Sequence, residues 1–423
     1  MLRFAPSPTG DMHIGDLRVA ILNYVVAQQR KEDLIVRIED MNKQKNIDGK
    51  DQEILDILSL FNIEYSQVIY QSENVRFHSA MALQLVHERR AFSCFCSPEW
   101  LEKKQKEAKV AKIVYNYDDA CRNLPAELVI DNTNPFTIRV AKPDNSIKIK
   151  DLIQGDISFE SSSVDSFVIL NQDKQPTYNF ACAVDDMLSD ISIIIRTESN
   201  LNNTPKQEHI RNALNYDKKI EYAHLPTLLD DLPSVKFLLE EGFLPEAILN
   251  YLISTMTSNH SSEVFTIQEA IESLDISKIS NSPTHFDMNL LKDINKKYLK
   301  TLDAKELSRY VGFADTEIGE LARIYLDEVT TTKELKKRIA PIFSNRDISK
   351  DIEKQTDSIR GVIKKAPYFE EYEDFKNHII KESGVNDEEF IKALRILLTN
   401  AVDGPDIAKI YKYLKNYIGE IVK

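Results

Sequence analysis

Arg3-Phe4-Ala5-Pro6-Ser7-Pro8-Thr9-Gly10-Asp11-Met12-His13-Ile14-Gly15-Asp16-Leu17-Arg18 opens the chain, and Leu34-Ile35-Val36-Arg37-Ile38-Glu39-Asp40 follows it. Leu2 to Ala5 reads as a short buried strand, and Pro6 to Gly10 is turn chemistry that cannot continue it. Leu17, Ala20, Ile21, Tyr24 and Val25 then recur at helical spacing and give one apolar face. A strand, a Pro/Gly turn carrying His13 and Gly15, and a helix start make a phosphate site in outline. The helix N-terminus offers free N–H donors and the positive end of its dipole, and Gly15 lets a ligand approach the backbone. Leu34 to Ile38 is the expected next parallel strand, with Arg37, Glu39 and Asp40 at its carboxyl end, where such sheets bind ligands.

Composition sets the outer limits. The 423 residues suggest about three domains, and 42% hydrophobic with 29% charged residues is a globular composition. No run of some 18 apolar residues appears, so no membrane span is expected, and the N-terminus lacks a signal-peptide pattern. Four cysteines in this length fit a reducing compartment, read as the cytoplasm. The net charge of −13 counts against wholesale coating of nucleic acid but leaves room for local basic faces.

Further along, Asp48 to Asn62 is expected to be a helix, with Ser72 capping the next through Arg90. Cys94 to about Thr177 is a different region. It holds a basic helix (Lys103, Lys104, Lys106, Lys109, Lys112), Tyr115-Asn116-Tyr117, and strand-like runs at Pro135–Val140 and Ser146–Ile149. Asp165 to Leu170 and Ile191 to Arg196 read as strands, the second fully apolar and ending in a cation. Thr204 and Pro205 are placed at the N-cap and first position of a helix. From Pro245 to the end the pattern is helical, without a repeat or a low-complexity tract. Lys336, Lys337, Arg338, Arg360, Lys364, Lys365 and Arg395 are scattered along its last third.

Phe4 to Gly10, His13-Ile14-Gly15 and Arg37-Ile38-Glu39-Asp40 together resemble the start of a bacterial glutamyl-tRNA synthetase, a class I aminoacyl-tRNA synthetase. The His-Ile-Gly segment is similar to the class I "HIGH" signature. The resemblance implies a doubly wound α/β (Rossmann-type) catalytic domain at 1–75 and 165–230. Within it sits an α+β acceptor-stem-binding domain at 76–164. All-α connecting (231–302) and anticodon-binding (303–423) regions follow. It also implies ATP with Mg²⁺, L-glutamate, and tRNA(Glu) and/or tRNA(Gln) as partners, in a cytoplasmic monomer. Arg3, Ala5, Ser7, Glu39, Tyr178, Cys182 and Arg196 are the implied glutamate-binding residues, and Thr9, Gly10, His13, Gly15 and Glu198 the ATP-binding ones. His13 and Gly15 would be catalytic. The residue types suit the chemistry, because arginine gives a carboxylate a permanently charged, bidentate partner and Glu39 matches an ammonium group. The plainer reading of a strand-end arginine beside Asp185 or Asp186 is a structural ion pair, and that of Cys182 is a core residue.

Three departures from the family pattern stand out. Thr197-Glu198-Ser199-Asn200 keeps only the glutamate of the usual Gly-Glu-Asp-His. Asp231-Leu232-Pro233-Ser234 runs straight into Val235, with no lysine-rich loop of the "KMSKS" type between them. Cys94, Cys96 and Cys121 match the zinc ligands of some relatives, but the fourth position is Asn123. Tyr117 or a water is then the source of a fourth donor, and three reduced, partly buried cysteines are the expected state, with zinc the alternative. Rivals remain. An enzyme that glutamylates a modified tRNA base would need only the catalytic half. A glutaminyl-tRNA synthetase should end in β-barrels. A non-catalytic paralogue would bind tRNA or glutamate without activating it, a reading the missing loop favours.

Overall fold

In a computed structural model of the protein, residues 1–113, 115–256, 266–346, 348–350 and 352–422 are described. They divide into two compact units, one of 1–235, 252–256 and 267–286, the other of 236–251, 266 and 287–422.

The first unit is built on parallel strands. β1 (Leu2–Phe4) pairs with β2 (Leu34–Ile38), and β2 with β3 (Gln67–Tyr70), all parallel. Inserted between this half and the next is an antiparallel sheet of β4 (Ala91–Cys94), β5 (Thr137–Val140) and β8 (Val168–Leu170). The second half runs β9 (Ile193–Thr197), β10 (Glu221–Leu225) and β6 (Ile147–Asp151) in parallel, edged by antiparallel β7 (Gly155–Phe159). The Ser192 N–H donates to the Met1 carbonyl at 2.9 Å, which lays β9 beside β1. The chain crosses from one half to the other there, so the crevice beyond the tips of β1 and β9 is the topological switch point where open α/β sheets bind ligands. Every residue of β2 is buried, as a parallel strand covered on both faces requires.

Helix α1 (Ile14–Arg30) begins just past His13 and buries its apolar face. α2 (Lys50–Leu60) is shorter than the sequence suggested, because Gly49 at φ +81° interrupts the backbone before it. Ser72 does not cap the next helix. It lies in a 3₁₀ turn, Gln71–Asn74, and gives its N–H and hydroxyl to the Asp40 carboxylate at 2.8 and 2.6 Å, and α3 (Val75–His87) starts after it. In the insertion, α4 (Pro98–Val110) carries the lysine run and is capped by Ser97, whose hydroxyl accepts the Trp100 N–H. A short α5 (Ala126–Ile130) follows. α6 (Tyr178–Leu188) and α7 (Thr204–Ala213) flank β9 in the chain. The cap of α7 is Asn203, not Thr204; the Thr204 hydroxyl is engaged elsewhere, as described below. β3, β4, β7 and β10 escaped the sequence reading, being short runs of mixed polarity.

The second unit is helical among its described residues, apart from short turns. Met288–Thr301, Ala304–Tyr310, Thr316–Ile324 and Thr332–Ile339 lead into Glu353–Ile363, Tyr372–Ser383, Asp387–Thr399, Ile407–Leu414 and Ile418–Ile421. Side-chain caps start many of them, with Asp287, Asp303, Asp315, Thr331, Asn386 and Asp406 each accepting a first-turn N–H. Gly319 sits where two of these helices touch, and a Cβ there would lie 1.7 Å from the Ala304 carbonyl oxygen. Gly319→Ala is therefore expected to lower unfolding stability by about 3 kcal/mol, through forced separation of the helices. Chemical denaturation of the variant checks this.

A candidate glutamate- and nucleotide-binding site

The tips of β1, β2 and β9 converge on a hollow of about 100 Å³. Arg3, Ala5, Glu39, Tyr178, Cys182 and Arg196 all line it, so six of the seven residues proposed for glutamate meet there. The seventh, Ser7, lies in an adjoining hollow of about 470 Å³ that also holds Thr9, Gly10 and His13. Ala5, Pro6, Asp16, Glu39, Tyr178 and Asn200 border both, so the two lie side by side.

Three arginines serve the first hollow, and they differ in how they are neutralised. Asp186 Oδ1 accepts from Arg3 Nε at 3.1 Å and from Arg37 Nη1 at 2.6 Å. Burial opposes its ionisation, yet Arg37 and Arg3 hold Asp186 well below the usual carboxylate range. Arg37 Nη2 also reaches Glu39 at 3.4 Å. The structural ion pair anticipated at the strand end is thus made by Arg3 and Arg37. Arg196 makes none among the described residues. It is 7% exposed, and its Nε, Nη1 and Nη2 donate to His224 Nε2, Gln207 Oε1 and Thr204 Oγ1 at 3.1, 2.8 and 2.8 Å. All three partners are uncharged when His224 is neutral. Burial pushes this guanidinium below its ordinary pKa. A buried cation without a counter-ion is costly unless a ligand supplies one.

Opposite, burial pushes the Glu39 carboxyl above its usual value against the pull of Arg37. Cys182 is both core and lining, with its thiol donating to Glu39 Oε1 at 3.3 Å.

In the larger hollow the His13 ring is exposed, and its Nδ1–H donates to the Leu232 carbonyl at 3.0 Å. Main-chain bonds from Ile14 N–H to Pro233 O and from Val235 N–H to Met12 O lay residues 232–235 along the signature. Leu232 Cδ1 lies 3.2 Å from where a Gly15 Cβ would stand, so the close approach at Gly15 is to this segment. Asp11, Asp16 and Glu39 line this hollow, with no lysine or arginine among its described lining residues. Lys50 stands behind, held by Asp11 and Glu53. Glu198 lines neither hollow; it accepts the Thr227 N–H at 3.0 Å. Asn200, two residues on, borders both. Asp16, Arg37, Asp186, Asn200 and His224 were not among the implied site residues: Asp16, Arg37 and Asn200 stand in the quoted stretches with no role given to them, Asp186 was read only as a structural partner, and His224 carries no local signal.

The sequence profile described as "tRNA synthetases class I (E and Q), catalytic domain" matches residues 1–293. "Glutamate--tRNA ligase 2" of Sulfurimonas denitrificans is 62% identical over the whole of both chains. This chain belongs to the class I glutamate–tRNA ligase family. "Glutamate--tRNA ligase 1" of a Nitratiruptor species is 46% identical, again over all of both chains. Each of these alignments spans 433 positions, ten more than this chain has residues. A crystal structure of a glutamate tRNA ligase from Elizabethkingia meningosepticum in complex with its amino acid superimposes with a TM-score of 0.82 over 100% of this chain and 98% of that one. At 22% identity that match speaks for the fold: a class I catalytic domain of mixed α/β structure with many added helices.

The insertion carries a second cluster. Cys94, Cys96 and Cys121 bring their sulfurs within 4.8 Å of one another. The Tyr117 hydroxyl lies 3.4 Å from the Cys94 and Cys96 sulfurs, and Cys96 and Cys121 are 3.6 Å apart. Burial opposes ionisation of Cys94, but the Tyr117 hydroxyl and Arg139 bring its thiol down to about 7. Among the described residues Asn123 makes no hydrogen bond with this group, whereas Tyr117, 23 residues beyond Cys94, is folded into it.

Proposed function

We propose that the protein is a glutamate–tRNA ligase that activates L-glutamate with ATP and transfers it to the terminal ribose of tRNA(Glu) and/or tRNA(Gln). The observation that carries the reading is Arg196. It is a buried guanidinium with only neutral hydrogen-bond partners, lining with Glu39 a small hollow that lies beside the one holding His13.

In this reading Arg196, with Arg3 behind it, takes the carboxylates of glutamate, and Glu39 takes the ammonium group. Ala5, Tyr178 and Cys182 form the walls, with Ser7 in the adjoining hollow. Thr9, Gly10, His13 and Gly15 hold ATP, and Glu198 supports the site through Thr227. A glutamate α-carboxylate oxygen bonds to the α-phosphorus of ATP, the bond to the β-phosphate oxygen breaks, and pyrophosphate leaves with the electron pair. The ribose hydroxyl of tRNA then attacks the activated carbonyl, and AMP leaves. No protein nucleophile is needed, so these residues act by placing the reactants and by stabilising charge. Mg²⁺ bound with ATP offsets charge on the phosphates.

The insertion at 76–164 is assigned to the acceptor end of tRNA, 231–302 to the connecting region, and 303–423 to the anticodon stem through Lys336, Lys337, Arg338, Arg360, Lys364, Lys365 and Arg395. The protein is placed in the cytoplasm as a monomer, and no described helix is long and apolar enough to cross a membrane.

The cysteine cluster is assigned to zinc, with Tyr117 as the fourth donor. A tetrahedral ion with Zn–S of about 2.3 Å and Zn–O of about 2.0 Å sets sulfurs about 3.8 Å apart and each sulfur about 3.5 Å from the oxygen. The observed 3.6 and 3.4 Å fit. Such an ion would hold the insertion together and take no part in the chemistry. Elemental analysis should find about one zinc per chain, and Tyr117→Phe should release it at lower chelator concentration. Zinc-free protein with an intact fold would return the cluster to three plain thiols.

ATP–pyrophosphate exchange, run with and without tRNA, tests the whole reading. Glutamate-dependent exchange is expected under at least one of the two conditions. None under either would leave a tRNA- or glutamate-binding protein without activation.

A further inference from the structure

Behind Arg196 lies a fully buried pair that the reaction as described does not use. Asp151, at the end of β6, accepts four N–H groups. They come from Ile153 and Gln154 at 2.9 and 2.8 Å, from the His224 main chain at 3.1 Å, and from His224 Nδ1 at 2.6 Å. Both side chains have no exposed surface. An ionised carboxylate can only accept, so the short bond fixes the ring proton on Nδ1 and leaves Nε2 with a bare lone pair. That lone pair faces Arg196 Nε–H at 3.1 Å and the Thr204 hydroxyl at 3.1 Å. Thr204 in turn accepts from Arg196 Nη2, and Gln207, whose amide nitrogen donates to Asn179, accepts from Nη1. The chain of bonds has one direction, running from the guanidinium into His224 and its Nδ1 proton into Asp151. Moving the proton to Nε2 would set two N–H groups against each other.

We infer that Asp151 and His224 are positioning residues that aim the Arg196 guanidinium, and that through it they set the preference for an amino acid ending in a carboxylate over one ending in an amide. This rests on the glutamate reading above. Five N–H groups belong to a guanidinium, and three are taken by the protein, which leaves one on each terminal nitrogen. A carboxylate supplies both the acceptors and the missing negative charge. An amide supplies one oxygen, brings an NH₂ towards a cation, and leaves the charge uncompensated. The discrimination works only if the protein offers no anion of its own to Arg196. A neutral histidine meets that need, because the Asp151 charge is held one ring away and spent on four other donors. Burial keeps His224 below the ordinary histidine pKa, with Arg196 from β9 and Arg3 from β1 as the nearby cations and Asp151 as the anion. The Tyr222 ring stacks on His224 at 5.7 Å and holds its plane.

The test is titration calorimetry of the full chain with glutamate, glutamine and ATP, for the unaltered protein, His224→Gln and Asp151→Asn. Loss of a hydrogen bond to a charged group should weaken glutamate binding about 10- to 100-fold in both variants. The glutamate-over-glutamine ratio should narrow by a similar factor, while ATP binding stays unchanged. Glutamate binding equal to that of the unaltered protein, or glutamate and ATP binding lost in proportion, overturns the inference. A measurement that needs no variant is the ¹⁵N spectrum of histidine-labelled protein. A strongly hydrogen-bonded ring proton on a δ1-type nitrogen with a bare ε2 partner is expected, and the ε2 signal should move when glutamate binds. A proton on ε2 at that site contradicts the proposal. If the unaltered protein binds no glutamate, the ligase reading and this inference fall together; if it binds glutamate and the variants match it, this inference alone falls.

Discussion

Arg196→Leu is expected to weaken glutamate binding by about 10²–10³-fold while leaving ATP binding and the melting temperature close to their original values. The size follows from deleting one partner of a desolvated charge pair. The selectivity follows from the neutrality of the partners. Removing Arg196 strands no buried anion, because His224, Gln207 and Thr204 carry no charge against it. Arg37→Leu should behave in the opposite way. It would leave Asp186 and Glu39 buried with one cation fewer, and breaking a buried pair from one side costs about 3–5 kcal/mol of stability. Calorimetric titration with glutamate and thermal melting of the two variants separate a substrate-gripping arginine from a structural one. Equal melting losses for both would refute the distinction.

Insertion of a ten-residue, lysine-rich segment of the KMSKS type between Asp231 and Leu232 is expected to raise glutamate-dependent ATP–pyrophosphate exchange by at least about 10²-fold. The hollow beside His13 is lined by Asp11, Asp16 and Glu39 without a lysine or arginine among its described lining residues. In the proposed reaction, charge developing on the leaving pyrophosphate would meet no side-chain cation from the described lining of this hollow. Residues 232–235 hydrogen-bond along Met12, His13 and Ile14, so an insertion before Leu232 would emerge beside the signature. Exchange at the original rate with the longer chain would show that another group already serves the phosphates.

Local pattern made the catalytic frame legible. The Pro6–Gly10 turn, the His13–Gly15 helix start and the all-buried Leu34–Ile38 strand are each decided by neighbours in sequence, and in the fold they bring Arg3 and Glu39 to one hollow and His13 to the next. Arg196 was legible for the same reason, as a cation ending an apolar strand. What sequence could not supply was pairing. Arg3 and Arg37 share Asp186, some 150 to 180 residues away, and Asp151 meets His224 across 73 residues. Those partners are ordinary residues in their own stretches, and only the sheet order β6-β10-β9 brings them into line. Thr204 shows the conflict in one residue. Its local signal is that of a helix cap, and its hydroxyl was taken instead by Arg196 and His224. Tyr117 is the same lesson at the cysteines: its hydroxyl, from between the second and third cysteine, lies 3.4 Å from two of the sulfurs, while the family pattern puts the fourth position at Asn123.

The most direct measurement is transfer of radiolabelled glutamate to purified tRNA by the full chain with ATP and Mg²⁺. Label on tRNA(Glu), on tRNA(Gln) or on both, dependent on ATP and absent when labelled glutamine replaces glutamate, is the predicted result. A folded protein that binds tRNA and glutamate yet transfers no label at any enzyme concentration would contradict the account.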